Sequence, residues 1–134
     1  MNLRTNGSPH DVVRAEIGRR QAAVEDTLRR QVESESRLTM IKAPPGSGKT
    51  HTLLVTAAHA FTKNFRVAIA AQTRSQADDI CRRIGRDHPT LAAFRFGARA
   101  DKPEPLGSNI TWVTSPGDIP RARCVVVATT AKWG

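Results

Sequence analysis

The chain has 134 residues, which is enough for one domain with a buried core. Its 21 lysines and arginines outnumber its 12 aspartates and glutamates, so the net charge is +9. An excess of this size favours a polyanionic partner, nucleic acid first, although charge spread evenly over the surface would serve only solubility. No apolar run approaches membrane-spanning length and the start of the sequence lacks a signal-peptide core, so we expect a cytoplasmic protein.

The two cysteines, Cys81 and Cys124, are far apart in the sequence and do not have the spacing of metal ligands. We therefore predict that both are buried free thiols in a reducing compartment. Aromatic residues make up only 4% of the chain and none is a tyrosine, so few rings are available for stacking on single-stranded bases.

The first predicted element is a long helix. Residues 1–7 are expected to be a disordered lead, and residues 8–134 a single domain. Ser8 followed by Pro9 is typical of a helix start, and apolar residues at helical spacing continue to about Ser34. Gly18 could divide this helix into two pieces.

The most informative stretch is Ala43 to Thr50, which has the form A-x-x-x-x-G-K-T of a phosphate-binding loop with alanine at its first position. A short apolar segment, 38–43, precedes it and predicts a buried strand. The segment from Thr50 to Phe61 predicts a helix. Strand, glycine loop and helix form the context that this motif requires, whereas the alternative is an ordinary glycine-rich turn with a chance lysine.

The residue types of this loop predict its chemistry. Gly46 and Gly48 can adopt backbone angles that direct successive N–H groups at one anion, and the following helix adds unpaired N–H groups and a positive dipole end. Lys49 supplies a charge for the β- and γ-phosphates, and Thr50 a hydroxyl for Mg²⁺, so these two are the candidate catalytic residues. The predicted ATP-binding residues of the loop are Pro45, Gly46, Ser47, Gly48, Lys49, Thr50 and His51.

The rest of the chain alternates predicted strands and helices. Strands are predicted over 65–71, 92–96, 110–113 and 124–128, with a loop at 98–109. A helix is predicted after Arg74, with Ser75 and Asp78 as its capping box and Gly85 as its stop signal. In the strand at 92–96, Arg95 falls on the face opposite Phe94.

This alternation predicts an α/β fold: a parallel sheet with helices on both faces. Right-handed crossovers would bring the loops at 43–50, 72–75 and 129–132 to one edge of the sheet, which is the ligand edge in open α/β folds. Residues expected near that edge are Gln72, Thr73, Arg74, Thr129, Thr130 and Lys132.

With these motifs in place, the chain resembles the superfamily 1 helicases over about residues 15–134. Gln21 is similar to the glutamine that contacts adenine in that family, and 43–50 to its phosphate-binding motif. The segment 67–78 resembles the strand and loop that touch the nucleic-acid backbone, and 124–130 resembles the threonine-bearing strand beside it. The resemblance implies a RecA-like P-loop NTPase domain with ATP and Mg²⁺ as cofactors.

The resemblance also implies a DNA or RNA partner contacted by Thr73, Arg74, Thr129 and Thr130. Each assignment has a structural alternative: Gln21 could be a surface glutamine on an amphipathic helix. Thr73 could be a helix cap and Arg74 a solvated charge.

The sequence lacks one motif of that family, an apolar strand ending in Asp-Glu that holds Mg²⁺ and activates water. Phosphoryl transfer depends on positioned charge, so we expect the chain to bind ATP better than it hydrolyses it. We therefore expect an incomplete domain, the N-terminal part of a helicase motor with its remainder in cis or in trans, or a degraded relative. The alternatives are a small-molecule kinase with the same loop and a non-catalytic basic module that binds nucleic acid.

Overall fold

The structure is a computed structural model that describes residues 9–34 and 48–133, with side chains in the first range described at residue 19 and from residue 22 onward. Its helices are α1 (Pro9–Glu33), α2 (Lys49–Thr62), α3 (Arg74–Asp87) and α4 (Thr130–Trp133). Its strands are β1 (Val67–Ala71), β2 (Ala93–Phe96), β3 (Ile110–Val113) and β4 (Val125–Thr129). Contacts divide the chain into two compact units, residues 1–52 and 53–134.

In the first unit, α1 runs without interruption through Gly18. The expectation that Gly18 divides the helix was therefore wrong. A glycine inside a helix costs only about 1 kcal/mol relative to alanine, which a 25-residue helix tolerates. The predicted end near Ser34 is confirmed, because α1 ends at Glu33 and the amide of Ser34 still donates to the Arg30 carbonyl.

In the second unit, the four strands form one sheet in the order β1-β4-β2-β3, and every neighbouring pair is parallel. Val67 pairs with Val125, and Val125 in turn pairs with Ala93, so the strands begin in register at one edge. The parallel α/β sheet predicted from the sequence is confirmed. Since all strands run the same way, the loops that follow them emerge at one edge.

One face of the sheet is covered by α2 and α3. The helical residues Leu54, Cys81 and Ile84 belong to the same buried cluster as Ile69 of β1 and Val127 of β4. Helix α3 is strongly amphipathic: its buried residues recur at helical spacing, while its other faces carry arginines and aspartates. Burial of this stripe positions the start of α3 at the end of β1.

The other face carries a second cluster of buried residues: Phe96, Val113, Cys124, Val126 and Ala128. The indole of Trp133 in α4 packs edge-on against Phe96 with ring centroids 6.0 Å apart. Its Nε1–H donates to the Ile69 carbonyl at 3.3 Å. The short helix α4 thus reaches across β4 and ties β2 to β1, so helices flank the sheet.

Helix α3 begins and ends differently from the prediction. The capping box uses Thr73 and Gln76, with Thr73 Oγ1 accepting from the Gln76 amide at 3.1 Å, and not Ser75 and Asp78. The helix also continues past Gly85 to Asp87. Gly85 serves close packing instead of termination, because a Cβ there would lie 3.1 Å from the Leu106 carbonyl oxygen.

Burial differs between the two strands that read as continuous apolar runs. β4 is buried along Val125 to Ala128, as predicted for a central strand. In β1, Ala68 and Ala70 lie on one face and are exposed, whereas Ile69 and Ala71 on the other face are buried. Small alanines make this exposure inexpensive.

The sequence pattern did not predict the burial of Arg95. Alternation within 92–96 placed it on the face opposite Phe94, which a simple strand would turn to solvent, yet Arg95 is only 1% exposed. β2 lies between β4 and β3 and both of its faces are covered, so the alternation does not separate inside from outside.

The two cysteines are free and buried, as predicted from their spacing. Burial raises the pKa of the Cys81 thiol to about 12, an effect that nearby Arg95 partly opposes. In the folded protein, Cys81 is therefore a protonated thiol over the whole neutral pH range.

We expect Cys81 to resist alkylation in the folded protein at pH 8, because a pKa near 12 leaves about a thousandfold less thiolate than an ordinary cysteine has. The same shift predicts that the free energy of unfolding falls as pH rises from about 9 toward 12, since the unfolded thiol ionises first. Peptide mapping after iodoacetamide treatment measures the labelling, with denatured protein as control. Rapid labelling of native Cys81 would contradict the assigned burial.

Candidate functional site

The predicted phosphate-binding loop is described from Gly48 onward; Pro45, Gly46 and Ser47 lie outside the described residues. Gly48 has φ of +83°, in the left-handed region where a side chain is strained. Its carbonyl accepts the amide of Thr52 at 3.0 Å, which is the first hydrogen bond of α2. The expectation that Gly48 takes a conformation reserved for glycine is thus met at the start of the helix.

Lys49 and Thr50 are the first two residues of α2. Lys49 is exposed and Thr50 is half-buried. The first amides of a helix have no carbonyl of their own helix to bond, so this end of α2 can donate to an anion. An ammonium group, a hydroxyl and main-chain donors at one helix start can together hold a phosphate group.

Two further predicted nucleotide residues lie in the same unit. The imidazole Nε2 of His51 lies 3.4 Å from Glu25 Oε1 of α1, so its side chain contacts a carboxylate. Gln21 belongs to α1, but its side chain is outside the described part of the chain. The adenine contact predicted for Gln21 stays a prediction.

In the second unit, strand register brings together the residues predicted to contact nucleic acid. Ala71, the last residue of β1, pairs with Thr129, the last residue of β4. The segments that follow these strands are consequently neighbours: Thr73 and Arg74 begin α3 on one side, and Thr130 begins α4 on the other. Of the three loops predicted to share an edge, 72–75 and 129–132 do so, although 129–132 is the end of β4 followed directly by α4 and not a loop. Most of the third, 43–50, lies outside the described residues.

The threonines at this edge also have structural roles. Thr73 caps α3 through its hydroxyl oxygen. Thr129 Oγ1 accepts the amide of Lys132 at 3.3 Å and so supports the first turn of α4. Since each oxygen accepts in these contacts, the hydroxyl proton of each threonine is still available to donate.

A cleft of about 270 Å³ opens at this carboxyl edge. Arg74, Arg95 and Lys132 provide its positive charges, and Asp101 provides a negative one. The remaining lining residues are Gly97, Ala98, Thr129 and Ala131. Of the four residues predicted to bind nucleic acid, Arg74 and Thr129 line the cleft, whereas Thr73 and Thr130 are exposed beside it.

Arg95 is the buried cation among the residues that line the cleft. Its Nε donates to Asp78 Oδ1 at 2.8 Å and its Nη1 to the Phe96 carbonyl at 2.7 Å. The guanidinium carbon lies 5.4 Å from the centre of the Trp112 ring. These contacts hold a buried cation in one orientation beneath the cleft, because a charge removed from water needs such partners.

Sequence reasoning missed Arg95, since a single arginine in a strand resembles a solvent-facing residue. One signal was available: arginine between two phenylalanines in a short strand, with an aspartate on the preceding helix, allows a buried ion pair. Only strand order decides that this strand is central.

Lys132 was expected near this edge and lies in the cleft. Its Nζ is 4.7 Å from the centre of the Phe96 ring. A cation over a ring face keeps its N–H donors free for an oxygen ligand. Lys132 is therefore placed to interact with an anion that enters the cleft.

Within the described residues, no cluster of three or more histidine, cysteine or acidic side chains could hold a metal ion. A magnesium ion that arrives with a nucleotide needs few protein ligands, because phosphates and water fill most of its coordination. The half-buried Thr50 hydroxyl suits that role as a single oxygen ligand. None of the helices in the described ranges is both long and apolar enough to cross a bilayer.

A helix that starts with Lys49-Thr50 directly after the left-handed Gly48 of the motif, together with a parallel α/β sheet, defines a P-loop NTPase. The family model of the AAA domain matches residues 18–127, and the chain belongs to this family. Membership implies nucleotide binding, typically with Mg²⁺. Neither the curated proteins nor the solved structures gave a match.

Proposed function

We propose that this chain is the ATP-binding part of a superfamily 1 helicase or translocase, a motor that couples ATP hydrolysis to movement along nucleic acid. The family supports the nucleotide half of the proposal, since AAA-type P-loop NTPases include helicase-like families. The nucleic-acid half depends on one observation. Two segments whose sequences resemble helicase nucleic-acid motifs follow adjacent paired strands, after Ala71 and Thr129.

For the nucleotide, the chain supplies charge and orientation. The ammonium of Lys49 would pair with the β- and γ-phosphates, and the free amides at the start of α2 would donate to their oxygens. The Thr50 hydroxyl would ligate Mg²⁺. The metal, when bound with ATP, neutralises phosphate charge and so favours phosphoryl transfer.

For nucleic acid, the cleft at the carboxyl edge of the sheet supplies Arg74, Lys132 and Thr129, while its third cation, Arg95, is buried against Asp78. Cations beside a hydroxyl suit contacts to a phosphodiester backbone, which carry no base specificity. With few aromatic residues in the chain, binding should depend mainly on phosphate charge and fall steeply as salt rises.

Arg74→Ala should weaken binding of a fluorescent dT15 strand by about three- to tenfold at low salt and should reduce the salt slope by about 0.7, because one phosphate contact is lost. Fluorescence anisotropy across a salt series measures both quantities, with U15 as an RNA probe. Arg121→Ala is the matched control: it removes the same charge from the segment that precedes β4, at the opposite edge of the sheet.

Equal losses in both variants would refute the assigned path and would indicate attraction by net charge alone. Adding ATP separates the proposal from its alternatives. Strand affinity that responds to ATP supports a motor, whereas steep salt dependence with no response to ATP supports a basic module. Turnover of ATP with a panel of small phosphate acceptors would support a kinase.

A further inference from the structure

The exposed side chain of Arg74 has an acidic partner. Its Nη1 is hydrogen-bonded to Asp101 Oδ1, and the two side chains form an ion pair. The carboxylate comes from the short 3₁₀ turn Arg99–Asp101 that follows β2, so it reaches Arg74 from a different loop. Arg74, which is predicted to contact nucleic acid, is thus already paired with a carboxylate of the same chain.

We propose that the Asp101 carboxylate is an internal stand-in for a nucleic-acid phosphate, which holds Arg74 until a phosphodiester displaces it. The inference rests on the proposed function, because it assigns a competitor to the same phosphate contact. Carboxylate and phosphate both present paired oxygens to the fork of a guanidinium, so they compete for one geometry.

The charges of the cleft show why the carboxylate matters. Arg95 is neutralised from below by Asp78, and Arg74 by Asp101, which leaves Lys132 without a carboxylate partner among the described residues. Removing the charge of Asp101 would leave Arg74 as a second unneutralised cation. A phosphodiester arriving at the cleft would then meet two cations and no opposing carboxylate.

The Arg74–Asp101 ion pair is also accessible to a competing anion. The Arg74 side chain is 67% exposed and that of Asp101 is 27% exposed, so water reaches both partners and the pair is weak. Asp101 is supported by a single turn in which its amide donates to the Ala98 carbonyl at 2.9 Å. By contrast, Arg95 and Asp78 are both shielded, and that pair is part of the fold.

The cleft has room for the competing group. The volume of about 270 Å³ is many times the roughly 10–15 Å³ that a cavity needs to hold one water molecule, so a phosphate group fits. Lys132 and Thr129 line the same cleft and can donate to the remaining phosphate oxygens. Displacement of Asp101 therefore exchanges one anion for another that has more donors.

The test compares Asp101→Asn with Asp87→Asn in the complete chain. Asp87 pairs with exposed Arg86 at 2.8 Å, so its substitution also removes one carboxylate and releases one arginine. It lies at the far end of α3 from Arg74, about 20 Å away along the helix axis. Both variants have the same net charge, and circular dichroism is used to check that each of them folds.

We expect Asp101→Asn to bind the dT15 strand about three- to tenfold more tightly than the unsubstituted chain at low salt, with the gain shrinking at high salt. Asp87→Asn should show less than a twofold change. An equal gain in both variants, or no gain from Asp101→Asn, would overturn the inference while leaving the proposed function intact.

Two other outcomes separate the claims further. Binding of dT15 by the Asp101→Asn variant, with no binding by the unsubstituted chain, would support the inference and contradict the function proposed for the unsubstituted chain. Failure of every variant to bind dT15 and U15 would overturn the inference together with the nucleic-acid half of the proposed function.

Discussion

Replacement of Lys49 by alanine is expected to weaken ATP binding by roughly ten- to a hundredfold, equivalent to about 1.5–3 kcal/mol. The ammonium at the start of α2 is the side-chain cation that the motif assigns to the β- and γ-phosphates, so its loss removes a charge-assisted contact. The amides of the loop and helix are unchanged, which is why some affinity should remain. Titration with a fluorescent ATP analogue in Mg²⁺ measures the effect.

The matched control is Lys63→Ala, which removes the same charge just beyond the other end of α2. It should leave ATP affinity within twofold of the unsubstituted chain. Because Lys49 is exposed, its loss should not unfold the protein, and the thermal midpoint checks this. Unchanged ATP binding in Lys49→Ala would refute the nucleotide site, and with it the motor proposal.

Replacement of Arg95 by methionine is expected to lower the free energy of unfolding by about 2–4 kcal/mol. The change removes the guanidinium that pairs with Asp78 and bonds the Phe96 carbonyl, while leaving the Asp78 carboxylate without its partner. The expected loss is below that of a completely buried pair, because the Asp78 side chain retains 17% exposure. Urea denaturation followed by circular dichroism measures it.

Arg83→Met is the control for this prediction. Arg83 pairs with Asp79 at 3.3 Å on the exposed surface of α3, the helix that also carries Asp78. Such exposed pairs contribute at most about 1 kcal/mol to the free energy of unfolding. Adding Asp78→Asn to Arg95→Met should recover part of the loss, since the unpaired charge is then removed. Equal effects of Arg95→Met and Arg83→Met would show that the Arg95 pair is not a structural element.

The Arg95 result also bears on the cleft. Arg95 lines the cleft, and Gly97 beside it permits close approach of the Trp112 ring, since a Cβ at Gly97 would lie 2.4 Å from Trp112 Cη2. Any loss of strand binding in Arg95→Met must be compared at equal folded fraction.

The sequence by itself determined the class of fold and the phosphate-binding motif. Apolar runs separated by amphipathic stretches are local patterns, and they placed four strands within about two residues of their observed bounds. The glycine-lysine-threonine motif is also local, because its chemistry depends on neighbouring amides and on the helix that they begin. Helix limits were less certain where two caps compete, as at Thr73 and Ser75.

The cleft and its charge pairing were decided only by the tertiary structure. The order β1-β4-β2-β3 places β2 in the interior, which turns Arg95 from an apparent surface residue into a buried one. The pairing of Arg74 with Asp101 joins residues 27 positions apart through two loops at one sheet edge. The order of the strands and the contacts between distant loops are long-range properties that the periodicity of the sequence does not encode. Periodicity specifies which face of a strand is apolar, but it does not specify which strand lies next to it.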